Sequence, residues 1–371
     1  MNFLLTLIKA KWIFKKPNKR KVLIYDSMSI ENGFAEIFFS GKNYEILDNR
    51  YKIINIYVFF VTLLTSGIKN FKNNYKKIFL KFVSPKIVYT SIDNNSSFFK
   101  LKYLYDKAIY ISDQNGISKE AYAARKNAII QKDFYWQCKE YNKTTKNKLK
   151  ADIIFLFGKN EKKKISPIIK GKIYTLGNTK NNHYFAEPKK INKKITSIMF
   201  ICSGLYKASI KYEQLLFSQL NEFCSRKKIK LIFSGRLDDS GEIFYRNNYA
   251  KGNWIYFPRT RKEKTYKNLN KQQMIVFSHS TLGYEGLARG LRCAVFYSYF
   301  PEKSTHSKYP KSGPFWTNLQ KYEDREKVLK RVIGFSNKSW KKIASKYSAD
   351  IMNYDPNNIK KKKIIKMALK F

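Results

Sequence analysis

Histidine is nearly absent from this chain, which has only His183, His279 and His306, and its four cysteines, Cys138, Cys202, Cys224 and Cys293, show neither CxxC nor HExxH spacing. A zinc centre needs three or four such ligands in register, so the pattern argues against one and no metal is expected. Cys202 and Cys293 fall inside apolar runs and read as reduced core thiols of a cytosolic protein. Acidic residues are scarce too: 27 Asp and Glu against 74 Lys and Arg give a formal net charge of +47. Asp238-Asp239 comes nearest to a carboxylate cluster, and the Ser-Gly that follows makes it a surface turn. No apolar run reaches the roughly 20 residues of a membrane-spanning helix. The longest, residues 53–68, reads as a buried helix between two strands. Residues 1–14 lack the charge order and cleavage site of a signal peptide, but could lie in a membrane interface with Leu4, Leu7, Ile8 and Trp12 on one side. No short-period repeat or low-complexity linker points to a solenoid or scaffold.

The charge excess suggests nucleic acid at first sight. Lysines are spread along most of the chain, however, and no basic stripe with interleaved aromatics stands out, so a solvated lysine coat is the simpler reading and no specific nucleic acid is expected. Such a coat is drawn to anionic lipid or to a negatively charged substrate. A cytoplasmic location follows, with peripheral attachment at the inner face of the membrane as a further expectation.

Hydrophobic residues are nevertheless plentiful, at 43% of the chain, and they recur rhythmically. Apolar runs at 22–25, 52–57, 88–91, 108–112, 152–157 and 172–176 alternate with helical spans, the first of them around residues 30–39, the pattern of a parallel sheet covered on both faces. A polar stretch at 179–194 interrupts the rhythm, which restarts at 197–202 and continues through 230–233, 254–257, 274–277 and 293–297. Two domains are therefore expected, residues 1–185 and 186–371, both Rossmann-like, with parallel sheets facing a central cleft. The tail, residues 355–371, is a basic amphipathic helix that could pack back across the cleft or touch lipid.

The densest signal is MIVFSHSTLGYEGLARGLRCAVF, residues 274–296. It reads as a buried strand, a hydroxyl-rich loop (Ser278, His279, Ser280), a helix starting near Thr281 and closed by Gly290, and a second strand. A helix entered straight from a strand turns unpaired N–H groups toward the carboxyl edge of the sheet, where phosphates bind. Glu285 lies one turn after Thr281 and is misplaced for a capping box. Its carboxylate suits a vicinal diol such as a ribose; an ordinary solvated helix glutamate fits the same pattern.

The segment Ser280 to Gly290 resembles the donor-site motif of surface carbohydrate biosynthesis proteins in the two-domain GT-B glycosyltransferase superfamily. LIYDS at 23–27, PKIVYTSIDN at 85–94, QNG at 114–116, FLFG at 155–158, LGN at 176–178 and GPFW at 313–316 match in order. Two positions depart from that pattern. His279 stands where many relatives are acidic, and Asn115 where distant polyol-phosphate transferases carry histidine; an amide cannot act as a base near neutral pH.

The resemblance implies a GT-B fold and metal-independent transfer of a sugar from a nucleotide-sugar donor to a glycan or lipid-linked acceptor, with no cofactor. Ser278, Ser280, Thr281 and Leu282 would meet the donor phosphates, aided by Arg236 and by backbone groups at Ser203 and Gly204, while Glu285 would hold the ribose. The acceptor hydroxyl also needs a base. Three aspartates follow strands of the first domain: Asp113, the first choice because it adjoins the QNG loop, Asp26, the second, and Asp93. Each could equally cap a turn. The GPFW segment could edge an acceptor or base-stacking site, or anchor an aromatic core. A nucleotide-sugar epimerase of the same architecture, whose usual Ser-Gly-Gly loop is missing here, and a non-catalytic assembly factor are the alternatives.

Overall fold

A computed structural model describes residues 8–41, 43–116, 134–145, 148–184, 194–203, 210–236, 241–260, 263–297 and 310–370. Fourteen strands are seen among them: β1 Lys11–Ile13, β2 Val22–Tyr25, β3 Tyr44–Leu47, β4 Ile53–Asn55, β5 Ile87–Thr90, β6 Ile109–Asp113, β7 Lys150–Leu156, β8 Lys170–Thr175, β9 Ser197–Ile201, β10 Lys230–Ser234, β11 Trp254–Phe257, β12 Met274–Phe277, β13 Arg292–Phe296 and β14 Trp316–Thr317. They form two six-stranded sheets, ordered β3-β2-β5-β6-β7-β8 and β11-β10-β9-β12-β13-β14, beside a small parallel pair of β1 and β4. Every pairing within the two large sheets is parallel.

Runs such as β2 (VLIY) and β12 (MIVF) are buried at every position, as strands covered on both faces must be. The second domain gathers one core, in which Phe200, Phe217, Phe233 and Trp254 pack ring on ring. The first domain has a core on each face of its sheet. One of these, built on Val22, Ile24, Ile87 and Ile111, is closed by Ile365 and Ala368 of the C-terminal helix Ile359–Lys370. That helix, placed by the sequence in residues 186–371, thus completes the first domain's core. The four cysteines are buried and unbridged.

Two other expectations change. The helical span around residues 30–39 is two short helices, Met28–Glu31 and Phe34–Phe39, broken at Gly33 with φ 72°. The run 53–68 splits into β4 and the helix Ile56–Ser66, which lies at the surface rather than between strands: Val58 and Thr62 are buried, whereas Phe60 and Leu64 are exposed. Apolar content signals burial only where another element arrives to cover it.

Candidate functional site

In each sheet the order reverses at one point, between β2 and β5 and between β9 and β12. At such a point the loops leave in opposite directions and open a crevice at the carboxyl ends of the strands. In the second sheet this crevice is bordered by Cys202 and Ser203 after β9 and by Ser278, His279 and Ser280 after β12. A buried carboxylate holds the two loops together. Glu213, on the helix Ile210–Arg226, accepts from the Ser203 N–H at 2.9 Å, the Ser278 hydroxyl at 2.8 Å and the Cys202 thiol at 3.1 Å. The Ser203 and Ser278 hydroxyls lie 2.8 Å apart, and the His279 N–H donates to Ser203 Oγ at 3.0 Å. Gly204 lies outside the described residues.

Ser280 is the N-cap of the helix Thr281–Ala288 but makes no side-chain cap bond. Its carbonyl accepts from Gly283 and Tyr284, and among the described residues nothing accepts from the N–H groups of Thr281 and Leu282. Those two donors and the positive end of the helix dipole are what an anion seeks. Gly283 lets the helix sit close on its own strand, since a Cβ there would meet the Phe277 ring at 2.3 Å. The cation beside the crevice is Arg259, two residues after β11. It donates through Nε to the Gly235 carbonyl and at 2.6 Å to the Cys202 carbonyl, spanning the ends of β9 and β10. Arg236, the cation chosen from sequence, is held through its backbone N–H by Tyr245 Oη at 2.7 Å.

Glu285 is buried, not solvated. Burial pushes its carboxyl up to about 7, against the pull of Arg289, a hydrogen bond from Tyr266, and the charges of Lys180 and Arg259. Lys180 belongs to the helix Thr179–His183, where the two domains meet. Arg289 donates at 2.6 Å to both the side-chain and backbone oxygens of Asn181, at 2.9 Å to the Tyr184 carbonyl and at 2.8 Å to Asn270 Oδ1. Asn181 Nδ2 donates to the Glu285 carbonyl, and Tyr184 stacks on Tyr266.

The three strand-end aspartates separate sharply. Asp113, the first choice for the base, is fully buried, with Oδ1 accepting from Lys361 Nζ at 2.8 Å and Oδ2 from Tyr89 at 2.9 Å and Thr179 at 2.5 Å. Lys361, equally buried, also donates to the Gly177 carbonyl and Thr179 Oγ1. A carboxylate so engaged has no approach for an acceptor hydroxyl, and the pair fastens the C-terminal helix to the first sheet. Asp26 is buried at φ 75°, accepting from the Met28 N–H in its own turn and from Arg50 Nε at 3.2 Å, as a turn-capping aspartate does. Asp93 is different: it is half-buried, and its Oδ1 accepts one bond from the Asn115 N–H at 3.1 Å. Burial lifts it from the usual carboxylate range to about 7, the Asn115 N–H opposing and Glu161 and Asp113 adding to the rise.

A chain of hydrogen bonds joins Asp93 to the second domain. Asn178 Nδ2 donates to the Asn115 carbonyl, and Asn178 Oδ1 caps the helix Thr179–His183 by accepting from the Lys180 and Asn181 N–H groups. The helix thus links the loop after β6, at the carboxyl edge of the first sheet, to the helix Thr281–Ala288 of the second domain. The GPFW segment resolves toward the core: Phe315 and Trp316 are buried against Trp340 and Tyr347. Sequence reasoning missed Glu213, which reads as a first-turn acid complementing its helix dipole, and Arg289 and Lys361, which read as surface cations. Arg259 carried the same strand-end signal as the aspartates. Among the described residues no three of His, Cys, Asp and Glu gather as metal ligands would.

Residues 131–369 match the model of a family described as "putative O-antigen biosynthesis protein". The chain belongs to this O-antigen biosynthesis family. Solved structures similar to this O-antigen family member include the UDP-GlcNAc 2-epimerase of Neisseria meningitidis bound to UDP-GlcNAc, at TM-score 0.55 and 10% identity over 94% of this chain and 98% of that one. Another is MnaA of S. aureus with UDP, at 0.55 and 11% over 91% and 93%. A third is the wall teichoic acid polymerase TagF with CDPG, at 0.51 and 9% over 95% and 89%. At such identities the fold alone is shared, and that fold is GT-B. A search of curated proteins returned no match.

Proposed function

We propose that this chain transfers a glycosyl group from a nucleotide-sugar donor to a glycan or lipid-linked acceptor during surface polysaccharide assembly. The observation that carries the reading is the mouth of the helix Thr281–Ala288, where two N–H donors are unspent at the switch point of the second sheet and Arg259 crosses the neighbouring strand ends. Departure of a nucleoside diphosphate builds negative charge on its β-phosphate, and fixed donors of this kind stabilise such charge as it develops. Ser203, Ser278, Ser280, Thr281 and Leu282 line the phosphate end, and Glu285 contacts the ribose. Asp93 takes the acceptor proton: a carboxyl held near 7 is ionised in a useful fraction at neutral pH and basic enough to receive a proton. In this reading the nucleotide-sugar is a substrate and no cofactor enters.

Solved GT-B relatives carry UDP, UDP-GlcNAc or CDPG, which makes uridine and cytidine nucleotides the first to try. A nucleotide at about 100 times its dissociation constant should stabilise the protein by roughly 2.7 kcal/mol in thermal unfolding, and Glu285→Ala should abolish the shift. Absence of any shift with a folded protein would discard the donor site. Two carboxyls poised near neutrality, Asp93 and Glu285, would also suit proton exchange in an epimerase. Conversion of the nucleotide-sugar to its epimer without an acceptor would decide for that second reading.

A further inference from the structure

The helix Ile56–Ser66 carries Tyr57, Phe60 and Leu64 on one outward stripe, at i, i+3 and i+7, and Ile68 extends it past Gly67. Leu64 is 86% exposed, Ile68 84% and Phe60 54%. β1 lies alongside, with Ile13 in register with Asn55, which brings Phe14, 74% exposed, next to the start of the helix. Single exposed apolar residues need no explanation, but a contiguous set of this size on two adjoining elements is a surface made to be covered.

Its surroundings indicate what covers it. Lys9, Lys11, Lys15, Lys16, Lys69 and Lys72 are exposed on the same elements and their flanks, and Lys16 Nζ lies 5.6 Å above the Tyr57 ring. No acidic residue occurs before Asp26 or between Asp48 and Asp93, so no carboxylate of these segments offsets that charge. A second copy of the chain would bring lysines against lysines, and a nucleic acid would leave the apolar stripe unfilled. An anionic bilayer leaflet satisfies both: acyl chains receive the stripe and headgroups receive the lysines. No helix of the described residues is long and apolar enough to cross a membrane, so contact is from one side.

We propose that the face formed by the helix Ile56–Ser66 and β1 docks on a leaflet rich in anionic phospholipid. The proposal stands independently of the transferase reading. The same face adjoins the carboxyl edge of the first sheet, because Lys76, on the helix packed beside it, donates to Tyr25 Oη at the end of β2 and to Asn49 Oδ1 after β3.

Co-sedimentation with phosphatidylcholine vesicles, with and without phosphatidylglycerol, tests it. The protein should bind the mixed vesicles far better than the neutral ones and be weakened by salt. The double variant Leu64→Gln, Ile68→Gln should lose about tenfold or more in affinity. Ile243→Gln, an equally exposed apolar site on the other domain, should bind as wild type. Equal binding by the double variant would overturn the proposal and leave only adhesion of the lysine coat. If the double variant instead converts a dimer to a monomer in sedimentation velocity, the stripe's occupant is a second copy and the lipid assignment fails.

Discussion

Asp93 and Asp113 end neighbouring strands of one sheet, and their surroundings give them different chemistry. Asp113 is paired with a buried ammonium, whereas burial raises Asp93 to about 7 against the pull of the Asn115 N–H and its own, with two acidic neighbours adding to the rise. Replacing it by Asn should lower turnover by about two to four orders of magnitude while donor-nucleotide binding persists. In the wild type the rate should climb with pH through about 7 as the carboxylate forms. Stability should run the other way. The unfolded carboxyl ionises near its ordinary value and the folded one only near 7, so stability is whole below about 4, falls as pH rises through that window and is level above it. Asp93→Asn should remove that loss in denaturant titrations at pH 5 and 8. Unaltered turnover would exclude Asp93 from the chemistry, and an unaltered pH dependence of stability would mean that its carboxyl is not raised. The three aspartates were all legible in the sequence as strand-end residues, but their ranking was not. It depends on what burial and partners do to each, and Lys361, Asp113's partner, is nearly 250 positions away, hidden in the run KKKK.

The C-terminal helix shows the same limit for a whole element. Its amphipathic character is plain, yet periodicity does not say which sheet receives it. Tertiary contacts decide: Ile365 and Ala368 fill the core over β2 and β5, Lys361 pairs with Asp113, and the chain reaches them by a close crossing at Gly177. Gly177 sits at φ 73°, and a Cβ there would lie 1.9 Å from the Asn353 carbonyl. Removing one partner of a buried pair strands the other, so Asp113→Ala and Lys361→Met should each cost about 3–5 kcal/mol in urea unfolding. The double variant should cost much less than their sum, because no lone charge is left. Additive losses would show that the two groups do not act as a pair. Strands were read more securely than helices. β2 and β9 to β13 are continuous apolar runs needing no partner to be recognised, whereas β3 (YEIL) is diluted by Glu45 and β14 spans two residues. The helix Ile56–Ser66 was misplaced for the opposite reason: its composition resembles a core, and only the fold shows that nothing among the described residues lies over half of it.

Across the whole molecule two Rossmann-like domains were legible because two βα series of equal rhythm are separated by a polar break, and the resemblance of residues 280–290 and the ordered motifs implied the GT-B type. How the domains are fastened was not, since Asn181 lies within that break and Arg289 follows Asn181 by 108 positions. The Arg289 guanidinium makes four hydrogen bonds, three of them to residues 181–184. Arg289→Met would leave Asn181 Oδ1, Asn270 Oδ1 and two carbonyls without their donor, at about 1–3 kcal/mol each where they stay dry. A single calorimetric transition in the wild type should then separate into two, one per domain; a variant that still melts once would show that the coupling lies elsewhere. The C-terminal helix has a consequence for how the chain is made. The ribosome delivers the first domain's strands early, but the residues that close one of its faces, Ile365 and Ala368, follow the strands of the second domain. Throughout synthesis of the second domain that face, with Val22, Ile24, Ile87 and Ile111, waits uncovered. Translation arrested just before the helix Ile359–Lys370 would yield a nascent product whose second domain is finished and whose first is a client for chaperones.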